Sequence, residues 1–579
     1  MEEAGMMKSR VIIALLTGFV LVWTSLTTSG FASNVDEQYA GSQPPERVGG
    51  TIGAIYDPSR EDSFGPSFLF AGDNSTPRQV GFAVNAITCS DAKDPACANQ
   101  RDFMEFLAYL QECTDRVLTN CVASVTAVKD DGTEVPGEFI RRIPAKGPTE
   151  FEGDPARKIP DGSSPGLWRF AGISHQGGTE FLIAVSLGGR SPRDASVRNS
   201  GQLRMAILPV SSVTPAREGG VMKIGLNSDG SYSIQGAFDR SHIYHSPNEA
   251  LNRWPFPTGI KYRLTVRLRD PQLGWLHGRV LQPSARISND ASGQEITVEA
   301  APVSVPLIDT WTKWSELPEW LRANYTARRP GGDFCKGWVE DKWEDLCINV
   351  GGNSSANEET MRVFLEWVKI AKDEAVASKS TWSVRSMRDD EITGKAECYQ
   401  GEKTFVGFVA TNSTVYLAGP PAFNREAQSL DYKVASPHFF KGGKDGLNYG
   451  TYSLLMRSDT ARCIYGFSDA PISATVSVLA SDGSAQVATT NVAQRDGWLS
   501  LNAAGFTYSS PTVRVAIKQE VPAPAVTNTP IPTPSPTASP SSALSAVKKT
   551  TKTISCTNGV RSKKVTAKNP KCPKGFKRA

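Results

Sequence analysis

Histidine is scarce in this chain, five in 579 residues, and none of the ten cysteines stands in the CxxC spacing of a zinc or redox site. No glycine-rich phosphate loop and no dinucleotide fingerprint follows a strand pattern, so no nucleotide partner and no cofactor is expected. VIIALLTGFVLVW (11–23) is shorter than the roughly 20 residues a spanning helix requires, and no other run is long and apolar enough to cross a membrane. Acidic residues are missing altogether from Val547 to Ala579. That segment holds eleven of the 63 Lys and Arg, which leaves 52 against 59 acidic residues and puts the rest of the chain near −7. The net +4 therefore belongs to the tail, and the body offers no electrostatic case for nucleic acid.

The few histidines do not assemble a site on sequence. His242 and His245 sit three apart near Asp239 but lack a third ligand, and Pro247 argues against a helical turn there. His175 follows Ser174 without the G-x-S-x-G elbow, and His277 and His438 stand alone. NSDGSYS (227–233) has oxygens for calcium but lacks both the D-x-D-x-D-G run and the closing glutamate. No catalytic and no metal-binding residue is expected.

What is present points outward from the cell. Lys8 and Arg10, the apolar run, and Gly30-Phe31-Ala32 read as a cleavable export signal over 1–32, with a retained N-terminal anchor as the alternative. In an oxidising compartment the cysteines pair locally as Cys89/Cys97, Cys113/Cys121, Cys335/Cys347, Cys398/Cys463 and Cys556/Cys572. A nested pairing among the four between 89 and 121 stays open on sequence.

Three segments share alternating apolar residues broken by Asp-Gly, the signature of a β-hairpin: 123–139, 221–238 and 474–490. YRLTVRLRD (262–270), QEITVEAAPVSVPL (294–307) and SPTVRVAIKQ (510–519) add strands. A helix is expected over 357–378, capped by Asn357, and a short one over LPEWLRANY (317–325), while FMEFLAYLQEC (103–113) fits helix or strand. The fold class is mainly β, with several antiparallel sandwich-like domains and a small mixed, Trp-rich helical segment. Boundaries are expected at 34–215, 216–306, 307–385 and 386–520. A disordered Pro/Thr/Ser linker follows at 521–546, its seven prolines extending it to roughly 80 Å, and then the basic tail at 547–579.

Seven of twelve tryptophans fall between Trp311 and Trp382. Exposed, Trp311, Trp314, Trp320, Trp338 and Trp343 would stack on sugar rings; buried, they fill a small core.

The stretch 430–519 carries Gly450-Thr451-Tyr452, Met456-Arg457-Ser458, Ala461-Arg462-Cys463, an Asp-Gly hairpin and Gly505-Phe506-Thr507. It resembles a module of uncharacterised exported actinobacterial proteins, and KKVTAKNPKCPKGFKRA (563–579) is similar to a short terminal element of the same proteins. The two together span about a fifth of the chain. The resemblance implies compartment and architecture, and no activity. The leading expectation is a non-catalytic surface or envelope protein, with Arg561, Lys563, Lys564, Lys568 and Lys571 contacting anionic envelope or wall polymer. The alternative is a secreted polysaccharide hydrolase or carbohydrate-binding protein built on the tryptophans.

Overall fold

The computed structural model describes residues 51–57, 66–72, 87–98, 103–146, 150–192, 202–213, 223–226, 232–235, 242–245, 250–327, 347–349, 355–388, 391–392, 398, 405–440, 446–466, 472–479, 485–486, 489–495, 497–508, 512–519, 552–557, 562–567, 571–572, 574 and 576–578. The expected signal, the linker, Trp338, Trp343 and Cys335 lie outside these residues. The chain divides into two units, Met1–Val521 and Pro522–Ala579.

The first unit is mainly β, as its alternation demands. Eleven strands hydrogen-bond side by side into one long sheet. Edge to edge they are Ile87–Thr88, Phe68–Gly72, Phe103–Tyr109, Glu180–Pro192, Gln202–Val213, Ala377–Ser386, Gly274–Arg279, Phe405–Thr411, Tyr449–Arg457, Trp498–Thr507 and Thr489–Arg495. All neighbours are antiparallel except Gly274–Arg279 against Phe405–Thr411, which run parallel.

Two smaller sheets cover this long one. Glu134–Arg142, Cys121–Lys129, Ile260–Leu268, Gly293–Ala301 and Leu281–Asp290 make the first cover. Their inward residues, among them Val125, Tyr262, Leu264, Ile296 and Val298, meet Ile183, Met205, Ile207, Trp382 and Val384 of the long sheet in one core. Val415–Leu417, Ser429–Ala435, Thr512–Gln519 and Ile472–Leu479 make the second cover. Tyr416, Tyr432 and Val513 there pack on Tyr452, Leu454, Met456 and Leu501. Strand Phe405–Thr411 is buried along its whole length because it serves both sandwiches. Phe405, Phe408 and Ala410 enter the first core, Val406 and Val409 the second.

Close approach of aromatic rings explains some of the glycine content. Trp275 lies across its register partner Gly407, where an added Cβ would sit 2.1 Å from the indole. Trp311 lies across Gly53 in the same way, at 2.3 Å.

Helix Glu358–Ile370 begins where expected, with Asn357 and Thr360 forming a reciprocal capping box. It buries Met361, Phe364 and Trp367 against Ile52, Ala54 and Ile308 of the strand pair Thr51–Tyr56 and Val303–Lys313. The short strand Cys347–Asn349 adds to the other edge of Thr51–Tyr56, running parallel to it with Cys347 opposite Ile52. The expected continuation of the helix to 378 does not form. Lys372 and Asp373 turn left-handed (φ 58° and 63°), and Ala377–Ser386 runs through the middle of the long sheet. Val376 thus matched the helical period by coincidence. FMEFLAYLQEC contributes strand Phe103–Tyr109, and a short helix covers Glu319–Ala327. The hairpin 123–139 closes through Gly132 at φ 85°, and 221–238 pairs as Lys223–Leu226 with Tyr232–Gln235. In the third, 474–490, the pairs among the described residues are Val478 with Gln486 and Leu479 with Ala485, before Thr489–Arg495 joins the long sheet.

Strand pairing ignores the sequence boundaries at 215, 306 and 385. Cys121–Lys129 pairs with Ile260–Leu268, Gln202–Val213 with Ala377–Ser386, and Gly274–Arg279 with Phe405–Thr411. Antiparallel ladders need no sequence proximity, so composition shifts along the chain did not mark breaks in the sheets.

Candidate functional site

A cluster of ionisable side chains with bonded partners lies where the long sheet changes covers. Alternation on Gly274–Arg279 sends Leu276 into the first core and Trp275 into the second, and His277 and Arg279 follow Trp275. His277 is 1% exposed and stacks on Tyr416 with centroids 3.7 Å apart and planes 13° off parallel. The Arg279 guanidinium lies 4.7 Å from the same ring. It donates to the carbonyls of Thr411 at 3.3 Å, Thr414 at 3.1 Å and Ser413. Arg385, the register partner of His277, forks onto Glu391 at 2.8 and 2.9 Å and reaches the Tyr416 hydroxyl at 3.2 Å. Glu391 also accepts the Arg388 backbone N–H at 2.8 Å. Tyr432 stands beside Tyr416 at 6.5 Å and beside Tyr452 at 5.5 Å.

Burial, reinforced by Arg385 and Arg279, holds the His277 pKa well below its ordinary value, so the ring is neutral. Burial raises the Tyr432, Tyr452 and Tyr508 hydroxyls, which stay protonated. Among the described residues the His277 Nε2 and the Tyr432 and Tyr452 hydroxyls have no hydrogen-bond partner. The cluster has a neutral imidazole, uncharged phenols and arginines tied to carbonyls and one glutamate. It serves to fix how the second cover sits on the long sheet, the register role that buried polar groups can play.

His175 and His438 are also bonded into the fold. His175 Nε2 lies 2.8 Å from the Glu180 carbonyl and Nδ1 accepts the Gly177 N–H at 3.1 Å, which fixes a neutral ring clamping its own loop. His438 Nδ1 meets Asp373 Oδ2 at 2.5 Å, while its backbone N–H donates to Asp373 Oδ1 at 2.8 Å. This pair braces the left-handed turn after the helix. His242 and His245 lie on one short strand, not on a turn of helix. Among the described residues no group of three or more His, Cys, Asp or Glu is placed to hold a metal.

The tryptophans separate. Trp314 and Trp320 pack with Trp367 around the helix core, and the Arg362 guanidinium covers the Trp320 ring at 4.1 Å. Trp367 Nε1 donates to the Tyr325 hydroxyl at 2.6 Å, and Trp382 Nε1 to the Ala300 carbonyl at 3.0 Å in the first core. Ile308 of strand Val303–Lys313 faces the helix core, so Trp311, three positions on, lies on the opposite sheet face. Trp311 therefore shares no surface with Trp314 and Trp320. Three carboxylates on the first cover are bonded to arginine: Arg263 to Glu299 at 2.7 Å and Glu134 at 2.8 Å, Arg267 to Glu295 at 3.0 Å. Hydrogen bonds from Arg263 hold the Glu134 carboxyl below the usual range, the opposite of what a general acid needs.

Disulfides close Cys89–Cys97, Cys113–Cys121 and Cys398–Cys463, which settles the two small loops as local pairs. Cys463 sits on helix Ser458–Tyr465, and Cys572 is disulfide-bonded as well. The expected Cys335/Cys347 bridge is not among these three. Cys347 is held by backbone pairing at the start of strand Cys347–Asn349, and its expected partner Cys335 lies outside the described residues, so that pairing does too. Among the described residues no cysteine is free. Among them, too, no helix is long and apolar enough to cross a membrane.

In the second unit, Lys552–Thr557 is the central strand between Ser562–Ala567 and Lys577–Arg578. Cys556 pairs with Lys563 on one side and Arg578 on the other; Thr557 pairs with Ser562 and Lys577. Lys571, Lys574, Lys577 and Arg578 are exposed. Arg561 and Lys568 lie outside the described residues.

Comparison with family models, curated proteins and solved structures finds no match. Reasoning from sequence treated His277 as a lone histidine and passed over Arg279, Arg385 and Glu391. The local signal was the alternation W-L-H-G-R, which puts a histidine and an arginine in phase with a tryptophan.

Proposed function

We propose that this is an exported, non-catalytic protein of the cell surface or envelope, with a binding or structural role. Its acidic body is carried on a Pro/Thr/Ser spacer, and its cationic tail touches anionic envelope. The observation that carries this reading is the tail unit itself. Eleven cations and no acid are gathered on a chain that folds into its own three-stranded sheet and includes a disulfide-bonded cysteine. At roughly 1 kcal/mol per cation near an anionic surface, a handful of contacts retains the chain without a lipid. Three further disulfides in the body suit an oxidising compartment outside the cytoplasm. The resemblance of 430–519 and of the last residues to exported actinobacterial proteins supports the same compartment. Histidines and carboxylates that hold the fold together support a body used for presentation over one used for hydrolysis.

The test is fractionation of cells producing the full chain or a chain ending at Gln519. Retention of the full chain with the envelope, its release by high salt, and free release of the shorter chain are expected. Equal release of both would overturn the proposal.

A further inference from the structure

The first cover ends on an open strand edge. Leu281–Asp290 pairs with Gly293–Ala301 on one side, and among the described residues no strand pairs with its other side. The two-residue turn closes on Asp290 and Gly293, so the backbone N–H and C=O groups of Arg286, Ser288 and Asp290 turn inward to that neighbour. Those of Ala285, Ile287 and Asn289 turn to the open edge. Ala285 and Ile287 are only partly buried against the first core, and every residue from Ser288 to Ser292 is exposed. The strand packs over Tyr449–Arg457, and the long sheet runs on past it through Trp498–Thr507 and Thr489–Arg495. Ser500 and Asn502 lie half-buried on the face that Leu455 turns to the first core. An open edge beside such a shelf is a template for another strand.

We infer that two copies of this chain join along this edge, strand against antiparallel strand about a two-fold axis, so that the two first covers become one sheet. Charge selects the register. With Ala285, Ile287 and Asn289 supplying the bonds, a two-fold pairing can set Arg286 opposite the partner's Arg286, Ser288, Asp290 or Ser292. Only Asp290 makes an ion pair, and the axis then repeats it, Arg286 to the partner's Asp290 and Asp290 to the partner's Arg286. Both groups are placed for it. Arg286 is exposed and makes no ion pair among the described residues. Asp290 engages only Oδ1, which accepts the Ser292 and Gly293 N–H groups at 2.7 and 3.1 Å and the Ser292 hydroxyl at 2.5 Å. In this register Ile287 exchanges backbone bonds with the partner's Asn289, and Ser288 sits on the axis opposite its own copy. The exposed turn of each copy then lies beside the other's strand, over the shelf of Ser500 and Asn502.

The test is sedimentation equilibrium of the purified full chain and its variants across concentration and salt. A reversible monomer–dimer equilibrium that weakens as salt rises is expected. Arg286→Glu sets a glutamate against Asp290 at both ends of the contact and should weaken association about tenfold or more. Asn289→Pro removes an N–H from the open edge and none from the ladder to Gly293–Ala301. It should abolish the dimer while the urea midpoint stays that of the natural chain. Ser288→Cys brings two Cα atoms to about 4.5 Å across the axis, within disulfide reach, so mild oxidation should give a covalent dimer. Ser284→Cys, roughly 27 Å from its copy, should give none. A chain that stays monomeric leaves this edge to some other partner and overturns the inference. A dimer that survives both Arg286→Glu and Asn289→Pro, or equal cross-linking through Ser284→Cys and Ser288→Cys, overturns it too.

Discussion

Acid should loosen this fold through His277 before it touches the carboxylates. The ring is 1% exposed, stacked on Tyr416 and flanked by Arg385 and Arg279, so the native state refuses a proton. The unfolded chain accepts it below the ordinary value of 6.5. A depressed native pKa means stability that is fully present above pH 6.5 and is lost as pH falls below it. With the native ring neutral throughout, moving from pH 7.5 to 5.5 costs about 1.4 kcal/mol for this one residue. His175, also lowered chiefly by burial, adds in the same direction. Asp431 and Glu134 are held below their ordinary values and take up protons only at lower pH, so the interval reports on histidine. Urea unfolding followed by tryptophan fluorescence at the two pH values measures the difference. His277→Phe keeps the stack on Tyr416 and removes the titrating ring, so its loss over the interval should be about 1.4 kcal/mol smaller than that of the natural chain. Identical losses would mean that the buried ring is charged in the native fold, and the electrostatic reading of the seam would fail.

Gly407→Ala should destabilise the body by about 1–3 kcal/mol or more, because its Cβ would lie 2.1 Å from the Trp275 indole across the parallel pair; thermal unfolding that matches the natural chain would contradict that close approach. Replacing Cys398 and Cys463 together by serine opens a loop with a sequence separation of 65 and should cost about 4 kcal/mol, read as a lower urea midpoint that the natural chain reaches only in reductant.

Local chemistry was legible in the sequence where a single residue decides a backbone turn. Gly132 and Asn357 act within a few residues of themselves, and the hairpin and the helix start appeared where they stand. Ala377–Ser386 did not stand out as a strand because Ser378 and Ser380 dilute its alternation, and the expected helix ran two residues into it because Val376 fits the helical period. Its true partners, Gln202–Val213 and Gly274–Arg279, lie far away in the sequence. The polar seam was hidden for the same reason. His277 and Arg385 become neighbours only through pairing, and Tyr416 reaches them only when the second cover docks. Tryptophan count alone carried no geometry, since Trp311 and Trp314, close neighbours in the chain, end on opposite faces of one strand pair.

The first core takes Ile207 and Trp382, 175 positions apart in the chain (382 − 207), so this protein has an enforced order of completion. Strand Gln202–Val213 waits for Ala377–Ser386 to arrive, and at about 5–20 residues per second that wait is on the order of ten to thirty seconds. During it a strand rich in Leu, Ile, Val and Met is an open sheet edge. Under the export proposed above, such a delay would favour passage as an unfolded chain, because the arrangement that makes the finished body continuous also keeps the partial chain from closing early.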